Sequence, residues 1–190
     1  REGCRRIVKK AFEYAKEYGR KSVTVAEKPN VIRETSGMMI EEARKIAQQY
    51  PDIEYKEVNI DALTMWLLKN PADYDVIVTS NMFGDIISDE AAQLVGGLGF
   101  AGSGNIGTNY AIFEPTHGSA PKYAGKYIVN PVGMIIAVRM MFEWLGERRL
   151  ADKLENAIAK TIAEGKVRTY DMGGNSSTLE MAEEIVRNMD

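Results

Sequence analysis

The stretch Asn81-Met82-Phe83-Gly84-Asp85-Ile86-Ile87-Ser88-Asp89-Glu90 joins a predicted strand to a predicted helix, and it decides the fold class. The run 75–80 before it, with β-branched residues at 76–79, is typical of a buried strand. From Phe83 to Leu94 the apolar residues recur at helical spacing, with Ile86, Ile87, Ala91 and Leu94 on one side. A strand that leads directly into a helix is characteristic of α/β folds.

Two carboxylates stand four residues apart in this predicted helix. Asp85 and Asp89 share one helix face, roughly 6 Å apart along the axis. We expect Asp85 in the first turn, where the helix dipole stabilises an anion. Such a pair can hold Mg²⁺ or Mn²⁺, which take few protein carboxylates and complete their coordination with water and substrate oxygens. Spacing alone favours a simpler interpretation, a first-turn acid followed by a solvated acid.

Composition narrows the functional classes. The 190 residues are 45% hydrophobic and 27% charged, which is typical of globular proteins. A net charge of −3 with scattered basic residues gives no indication of a nucleic-acid or membrane partner. The single cysteine, Cys4, excludes a disulfide within these residues, and the single histidine, His117, excludes a site built from several histidines. No apolar run approaches the ~20 residues that span a bilayer. The sequence opens at Arg1, without Met, so we leave open an upstream segment or a targeting peptide.

Strands alternate with helices along the whole chain, which predicts the α/β class. Thr35 or Ser36 is the expected cap of the second helix, and Asp61 that of the third. The glycine-dense segment from Gly96 to Gly107 is the best candidate for a domain boundary. Helices are predicted at 2–18, 38–49, 61–68, 83–94, 132–145, 150–163 and 176–189, and strands at 21–26, 53–60, 75–80 and 111–114.

Lys28 follows the first predicted strand, in the sequence Glu-Lys-Pro-Asn. Pro29 cannot donate to a sheet ladder, so the strand ends there and Lys28 lies at its tip. Strand tips are where α/β proteins bind ligands. On local evidence alone, a solvated loop lysine and a capping Asp61 are the favoured interpretations.

The loop from Pro115 to Pro121 is rich in small residues and potential hydrogen-bond donors, and Lys122, Tyr123, Lys126 and Tyr127 follow it. Backbone N–H groups, serine and lysine together suit a phosphate group. The signal from residue types is weak, because the loop has neither the P-loop pattern nor the GxGxxG pattern.

These segments together resemble one family. Asn81-x-Phe83-Gly84-Asp85-Ile86-x-Ser88-Asp89 is similar to the metal-binding signature of the β-decarboxylating dehydrogenases, which act on isocitrate, 3-isopropylmalate, homoisocitrate and tartrate. The match continues, in one register, through 94–99, 103–107, 113–121, Asn130-Pro131 and Asp171-x-Gly173-Gly174.

The resemblance implies the two-domain α/β fold of isocitrate and isopropylmalate dehydrogenases, incomplete at the N-terminus. Residues 1–95 would form most of the small, dimer-forming domain, with the metal and catalytic residues. Residues 96–190 would form the C-terminal half of the large domain, with the loop that binds the cofactor adenosine.

Such enzymes oxidise a 2-hydroxy acid with NAD or NADP, and the product then loses CO₂ with the help of Mg²⁺ or Mn²⁺. By motif match, Asp85 and Asp89 bind the metal and Asp61 is contributed across a dimer interface. Lys28 relays the hydroxyl proton in the partner's site, and Asn30 lies near the substrate and the nicotinamide. The implied assembly is therefore a homodimer with shared active sites, and the expected location is cytoplasmic.

The resemblance also implies a cofactor site. His117 would lie against the adenine and Asn130 would hydrogen-bond its edge. Lys122 stands where NAD-specific relatives carry an acid, and a cation with phenols suits a 2′-phosphate, so NADP is expected, with NAD possible. Gly174 departs from the arginine that some NADP-specific relatives carry. The expected cofactor-binding residues are Glu114, His117, Gly118, Ser119, Ala120, Lys122, Tyr123, Val129, Asn130 and Tyr170.

The substrate is less defined. The glycine motifs at 94–99 and 104–107 are closer to the isocitrate and homoisocitrate members, which ranks isocitrate first, homoisocitrate second and 3-isopropylmalate third. Two other classes stay open, a non-catalytic regulatory subunit of a hetero-oligomeric dehydrogenase and a half-protein that only dimerises or binds nucleotide. Lys28, Asp61, Asp85 and Asp89 are all present, which disfavours the regulatory subunit.

Overall fold

The computed structural model describes residues 1–189 and divides the chain into two compact units. The first unit is Arg1–Ala91 and the second begins at Ala92. The alternation of strands and helices confirms the α/β class. The assignment of 1–95 and 96–190 to the small and large domains of a longer protein stays a prediction.

A parallel three-stranded sheet forms the centre of the first unit, in the order β2-β1-β3. Every residue of β1 is buried because it is the central strand, and its side chains alternate between the two faces. Val23 and Val25 pack with Phe12 of α1 and Met39 of α2, whereas Ala26 packs with the helices of the opposite face. The strands are β1 (Ser22–Glu27), β2 (Glu54–Asn59) and β3 (Val76–Thr79), and the helices are α1 (Glu2–Glu17), α2 (Arg33–Ala47), α3 (Ile60–Lys69) and α4 (Asn81–Leu94).

The helices α2, α3 and α4 begin earlier than the sequence pattern predicted. The N–H of Gly84 already donates to the carbonyl of Ser80, so α4 starts at Asn81 and Asp85 lies beyond its first turn. The expected contribution of the helix dipole to Asp85 is therefore wrong. Ser36 lies inside α2 rather than capping it, because its hydroxyl donates to a buried glutamate. In α3 the N-cap is Asn59, which moves Asp61 into the first turn.

The second unit packs an antiparallel hairpin and three helices around Val132, Leu154, Met181 and Ile185. The strands are β4 (Gly102–Ile106) and β5 (Ala111–Pro115), and the helices are α5 (Val132–Trp144), α6 (Arg148–Glu164) and α7 (Thr178–Arg187). The sequence pattern did not predict β4, because Gly-Ser-Gly-Asn-Ile has little strand propensity. A Cβ on Gly102 would stand 2.9 Å from the Ala137 nitrogen, so the glycine permits close packing of β4 on α5.

A capping box fixes the start of α7, as Ser177 and Glu180 exchange side-chain to backbone hydrogen bonds. Among residues 1–189, the structure contains no helix with the combined length and apolarity that a membrane crossing needs.

Candidate functional site

The carboxyl ends of β1 and β3 are tied together by Glu27, the last residue of β1. Its side chain is 1% exposed, and its two oxygens accept from the Ser36 hydroxyl at 2.6 Å and the Ser80 N–H at 2.8 Å. These bonds fix the strand end that carries Lys28 against the residue that precedes α4. The sequence pattern did not predict a role for Glu27, although an acid at the end of a predicted strand that leads to a candidate site residue is a usable signal.

Lys28 and Asp61 form an ion pair at this end of the sheet. The Lys28 Nζ lies 2.5 Å from Asp61 Oδ1, with the lysine side chain 20% exposed and the aspartate 66% exposed. The hydrogen bond from the Lys28 ammonium lowers the pKa of the Asp61 carboxyl below its usual value. The structure thus brings together the two residues with predicted catalytic roles, and Asn30 lies exposed in the turn that follows.

Asp85 and Asp89 are both exposed on α4, one helical turn apart, as their spacing predicted. Within residues 1–189, however, no three histidine, cysteine or acidic side chains converge on a point where a metal ion can bind. One copy of the chain therefore does not assemble Asp61, Asp85 and Asp89 into a single metal site. Two exposed carboxylates fit a hard cation that needs further oxygen ligands from elsewhere.

The second unit contains a cleft of about 760 Å³, within the size range of small-molecule sites. Glu114 and Lys122, two of the ten predicted cofactor residues, do not line it. The Glu114 carboxylate instead accepts from Asn105 Nδ2 at 3.1 Å across the β4–β5 hairpin. The predicted residues that do line the cleft are His117, Gly118, Ser119, Ala120, Tyr123, Val129, Asn130 and Tyr170.

Residues outside the predicted cofactor set also line the cleft. Gly96 and Gly97 have φ of 115° and 105°, which only glycine adopts freely, so this turn forms one wall with little side-chain bulk. Ala120 and Tyr127 hold positive φ without being glycine. Part of this loop is held in place by Thr178, whose N–H donates to the Tyr127 carbonyl and whose hydroxyl donates to the Val129 carbonyl.

Two lysines and two tyrosines gather at the cleft. The Lys122 and Lys126 ammonium groups lie 4.8 and 5.9 Å from the centroid of the Tyr123 ring. The Tyr123 and Tyr170 ring centroids are 5.9 Å apart. Hydrogen bonds with the Lys122 ammonium, and then with the Tyr170 hydroxyl, lower the pKa of the Tyr123 phenol. The same Tyr123–Tyr170 hydrogen bond raises the pKa of the Tyr170 phenol. This lysine–tyrosine cluster offers positive charge and hydroxyl donors to an anion such as a phosphate.

Asn130 is held at both ends of its amide. Its Oδ1 accepts from the Val132 N–H at 3.0 Å, and its Nδ2 donates to Asp171 Oδ2 at 2.9 Å. The other Asp171 oxygen accepts from the buried Thr169 hydroxyl at 2.5 Å. A Cβ on Gly99 would lie 2.8 Å from Asp171 Oδ2, so glycine there lets the chain pass close to this pair. Both Asn130 and Asp171 line the cleft, which fits a flat ligand with a polar edge.

Comparisons with known proteins agree on one family. The family model described as isocitrate/isopropylmalate dehydrogenase matches residues 1–185. The 3-isopropylmalate dehydrogenase of Archaeoglobus fulgidus is 50% identical over 190 residues, which cover 100% of this chain and 58% of that protein. The isocitrate dehydrogenase [NADP] of Thermus thermophilus is 44% identical over 191 residues, covering 99% of this chain and 38% of that protein.

A solved structure extends the likeness to the fold. The crystal structure of isocitrate dehydrogenase from Methylococcus capsulatus has a TM-score of 0.96 at 45% identity, and the match covers 99% of this chain and 56% of that one. The chain thus spans about half the length of such relatives. With the motifs at Lys28, Asp85 and Asp171 in place, the chain belongs to the isocitrate/isopropylmalate dehydrogenase family.

Proposed function

We propose that the protein containing this chain carries out metal-dependent oxidative decarboxylation of a 2-hydroxy acid with NADP, and that isocitrate, converted to 2-oxoglutarate, is its substrate. The observation that carries the catalytic part is the 2.5 Å ion pair of Lys28 and Asp61 at the carboxyl end of the sheet. A lysine that is held in place before substrate arrives can take the proton of a substrate hydroxyl once its own ammonium has released a proton to solvent.

Asp85 and Asp89 are the proposed metal ligands of this chain, and Asp61 of a second copy completes the set. A divalent metal held by these acids would supply positive charge that stabilises negative charge developing on the substrate oxygens. The incomplete acid cluster within residues 1–189 supports a shared site. Exposed apolar side chains on α3 and α4, among them Met65, Trp66, Met82 and Ile86, support a homodimer that covers them.

The cofactor preference rests on the lysine–tyrosine cluster. A 2′-phosphate carries two negative charges, and Lys122, Lys126 and the two phenols offer cations and donors to it. NAD lacks this phosphate and would leave the cluster without its partner. NAD therefore stays the second choice of cofactor.

Other substrates are the first alternatives. The 50% identity to a 3-isopropylmalate dehydrogenase supports that acid as an alternative, and homoisocitrate shares the same reacting carbons. A non-catalytic subunit or a chain that only dimerises or binds nucleotide is the alternative from another class. The presence of Lys28, Asp61, Asp85 and Asp89 argues against it.

The test is an assay at 340 nm with the intact protein and Mg²⁺, pairing isocitrate, homoisocitrate and 3-isopropylmalate each with NADP⁺ and NAD⁺. Fastest reduction of NADP⁺ with isocitrate is the expected result. Turnover with another acid would keep the reaction class and change the substrate. Absence of turnover with every pair, in a protein that binds Mn²⁺, would favour the non-catalytic subunit.

The assignment of Asp85 as a metal ligand can be tested by substitution. Asp85→Asn removes a charged ligand, so metal-dependent turnover should fall by at least two orders of magnitude, consistent with the several kcal/mol that a metal supplies to charge stabilisation. Asp52→Asn, at an exposed turn, is the matched control and should keep wild-type kcat. Wild-type activity in the Asp85 variant would refute the assignment.

A further inference from the structure

The amide of Asn130 can stand in only one orientation. Val132 N–H needs an acceptor and the Asp171 carboxylate needs a donor, and the two contacts lie at opposite ends of one carboxamide. A 180° flip would face Nδ2 to an N–H group and Oδ1 to a carboxylate, and both contacts would become repulsive. The hydrogen-bond partners therefore determine which side of the amide is oxygen.

Asp171 is itself held in place by a buried hydroxyl. The Thr169 hydroxyl donates to its second oxygen at 2.5 Å, and Thr169 is 0% exposed. Gly99 closes the other side, because any side chain there would collide with Asp171 and Asn130. A chain of contacts thus runs from a buried threonine through Asp171 to an amide that lines the cleft.

By its valence, the fixed amide has one further hydrogen on Nδ2 and one further lone pair on Oδ1 beyond these two contacts. Adenine presents an acceptor ring nitrogen beside the donor amino group, on either of its polar edges. Hypoxanthine replaces the amino group by a carbonyl acceptor, and on one edge the donor and acceptor order reverses. An amide with a fixed order of donor and acceptor therefore distinguishes these two bases, and an amide that is free to flip does so less well.

We propose that Asp171 is a positioning residue that locks the amide of Asn130, and that this lock gives the cleft its preference for adenine over hypoxanthine. The inference rests on the proposed function, since it takes the base of the dinucleotide as the ligand beside Asn130. It adds a residue, Asp171, and a base specificity that the proposed function does not include.

The experiment measures binding rather than turnover. Calorimetric titration of the intact protein with NADP⁺ and with its hypoxanthine analogue gives two dissociation constants and their ratio. Asp171→Asn keeps the shape and lets the facing side chain offer either a donor or an acceptor. The ratio should then fall by on the order of tenfold, in line with the discrimination of one bidentate base contact. Asp152→Asn, at an exposed position of α6, should leave the ratio unchanged.

A second variant protects the test against a folding defect. Thr169→Val removes only the hydroxyl behind Asp171, so the ratio should fall, but by less than in Asp171→Asn. An unchanged ratio in a folded Asp171→Asn protein, with both dissociation constants shifted equally, would overturn the lock. If the wild-type protein bound neither dinucleotide, the proposed function would fail as well, and the two failures are therefore distinguishable.

Discussion

At the scale of single residues, Lys122 bears most directly on the proposed preference for NADP over NAD. Its ammonium lies 4.8 Å from the Tyr123 ring, beside the cleft but not in its lining. A charged group at the rim acts on a ligand that projects out of the cleft, as a ribose phosphate would. The role proposed for it is therefore electrostatic rather than steric.

Replacing this cation by an acid should reverse the preference. Lys122→Asp places a carboxylate where a 2′-phosphate would lie, so kcat/KM with NADP⁺ should fall and that with NAD⁺ should hold or rise. The expected change in the NADP⁺/NAD⁺ ratio is on the order of a hundredfold, as for other like-charge contacts that cost several kcal/mol.

The exposed lysine Lys153 on α6 supplies the control for charge reversal. Lys153→Asp changes the net charge by the same amount and should leave the ratio untouched. Equal ratios in wild type and Lys122→Asp would remove Lys122 from the phosphate site.

At the scale of elements, α1 and α2 are joined by a buried carboxylate. Glu42 on α2 is 2% exposed and accepts hydrogen bonds from Arg1, Arg5 and Lys45. These bonds, the one from Arg1 above all, lower the pKa of Glu42 to about 2. The charged form is thus favoured by folding, and the stability it contributes is present above the ordinary value of 4.5.

This carboxylate should make the fold sensitive to acid. The contribution of Glu42 is lost as the pH falls from about 4.5 towards 2, where the folded protein must protonate it. Glu42→Gln should lower the free energy of unfolding at pH 7 and flatten its decline in that window. Urea titrations from pH 7 to pH 2.5 measure both effects. Glu13→Gln, a half-exposed acid on α1, should leave the shape of the curve unchanged, and an unaltered curve in Glu42→Gln would contradict the assignment.

The contact of β4 with α5 makes a second prediction at this scale. Gly102→Ala would place a methyl group 2.7 Å from Ile136 Cγ2 and 2.9 Å from the Ala137 nitrogen. Overpacking of this kind should destabilise the protein by about 1–3 kcal/mol. Gly37→Ala meets no atom within 4 Å inside α2 and should instead stabilise it by about 0.5–1 kcal/mol. Equal urea midpoints for the two variants would show that the hairpin yields easily.

The elements also show what a sequence can and cannot predict. Periodic apolar runs predicted the helices α1 to α7 and four of the five strands of residues 1–189 close to their observed places, because the apolar stripe is a local property. The strand β4 was missed since packing against α5, and not propensity, makes it a strand. The start of α2 was misplaced because its expected cap, Ser36, donates its hydroxyl hydrogen bond to Glu27 instead.

The residues of the candidate site also divide into those that the sequence could predict and those that it could not. Motif residues such as His117 and Tyr123 could be named from the sequence, and they line the cleft. The contacts of Glu27 with Ser80 and of Asn130 with Asp171 span 53 and 41 residues, respectively. Pairs so far apart in the sequence are found only when the fold brings them together.

At the scale of the whole molecule, each unit has its own hydrophobic core and its own tryptophan. Trp66 lies on α3 in the first unit, and Trp144 lies on α5 in the second. Trp66→Phe and Trp144→Phe therefore leave single fluorescent reporters, one for each unit. The proposed nucleotide cleft is lined only by residues of the second unit.

NADP⁺ should then stabilise the two units unequally. At a hundred times its dissociation constant, a ligand adds about 2.7 kcal/mol to the stability of whatever unfolds with its site. The midpoint of thermal unfolding reported by Trp144 should rise more than that reported by Trp66. The same rise for both reporters would mean that the chain unfolds as one cooperative body. Mg²⁺ alone, without nucleotide, serves as the control ligand.

The confinement of the cleft to the second unit has a consequence for how such proteins diversify. The cluster around Tyr123 and the pair of Lys28 and Asp61 belong to different units with separate cores, and they share no residue. A lineage can therefore change its electron carrier by mutating the loop from 117 to 130 without disturbing the acids that would act on the organic substrate. Changes in the organic substrate and changes in the nucleotide cofactor can then accumulate in either order.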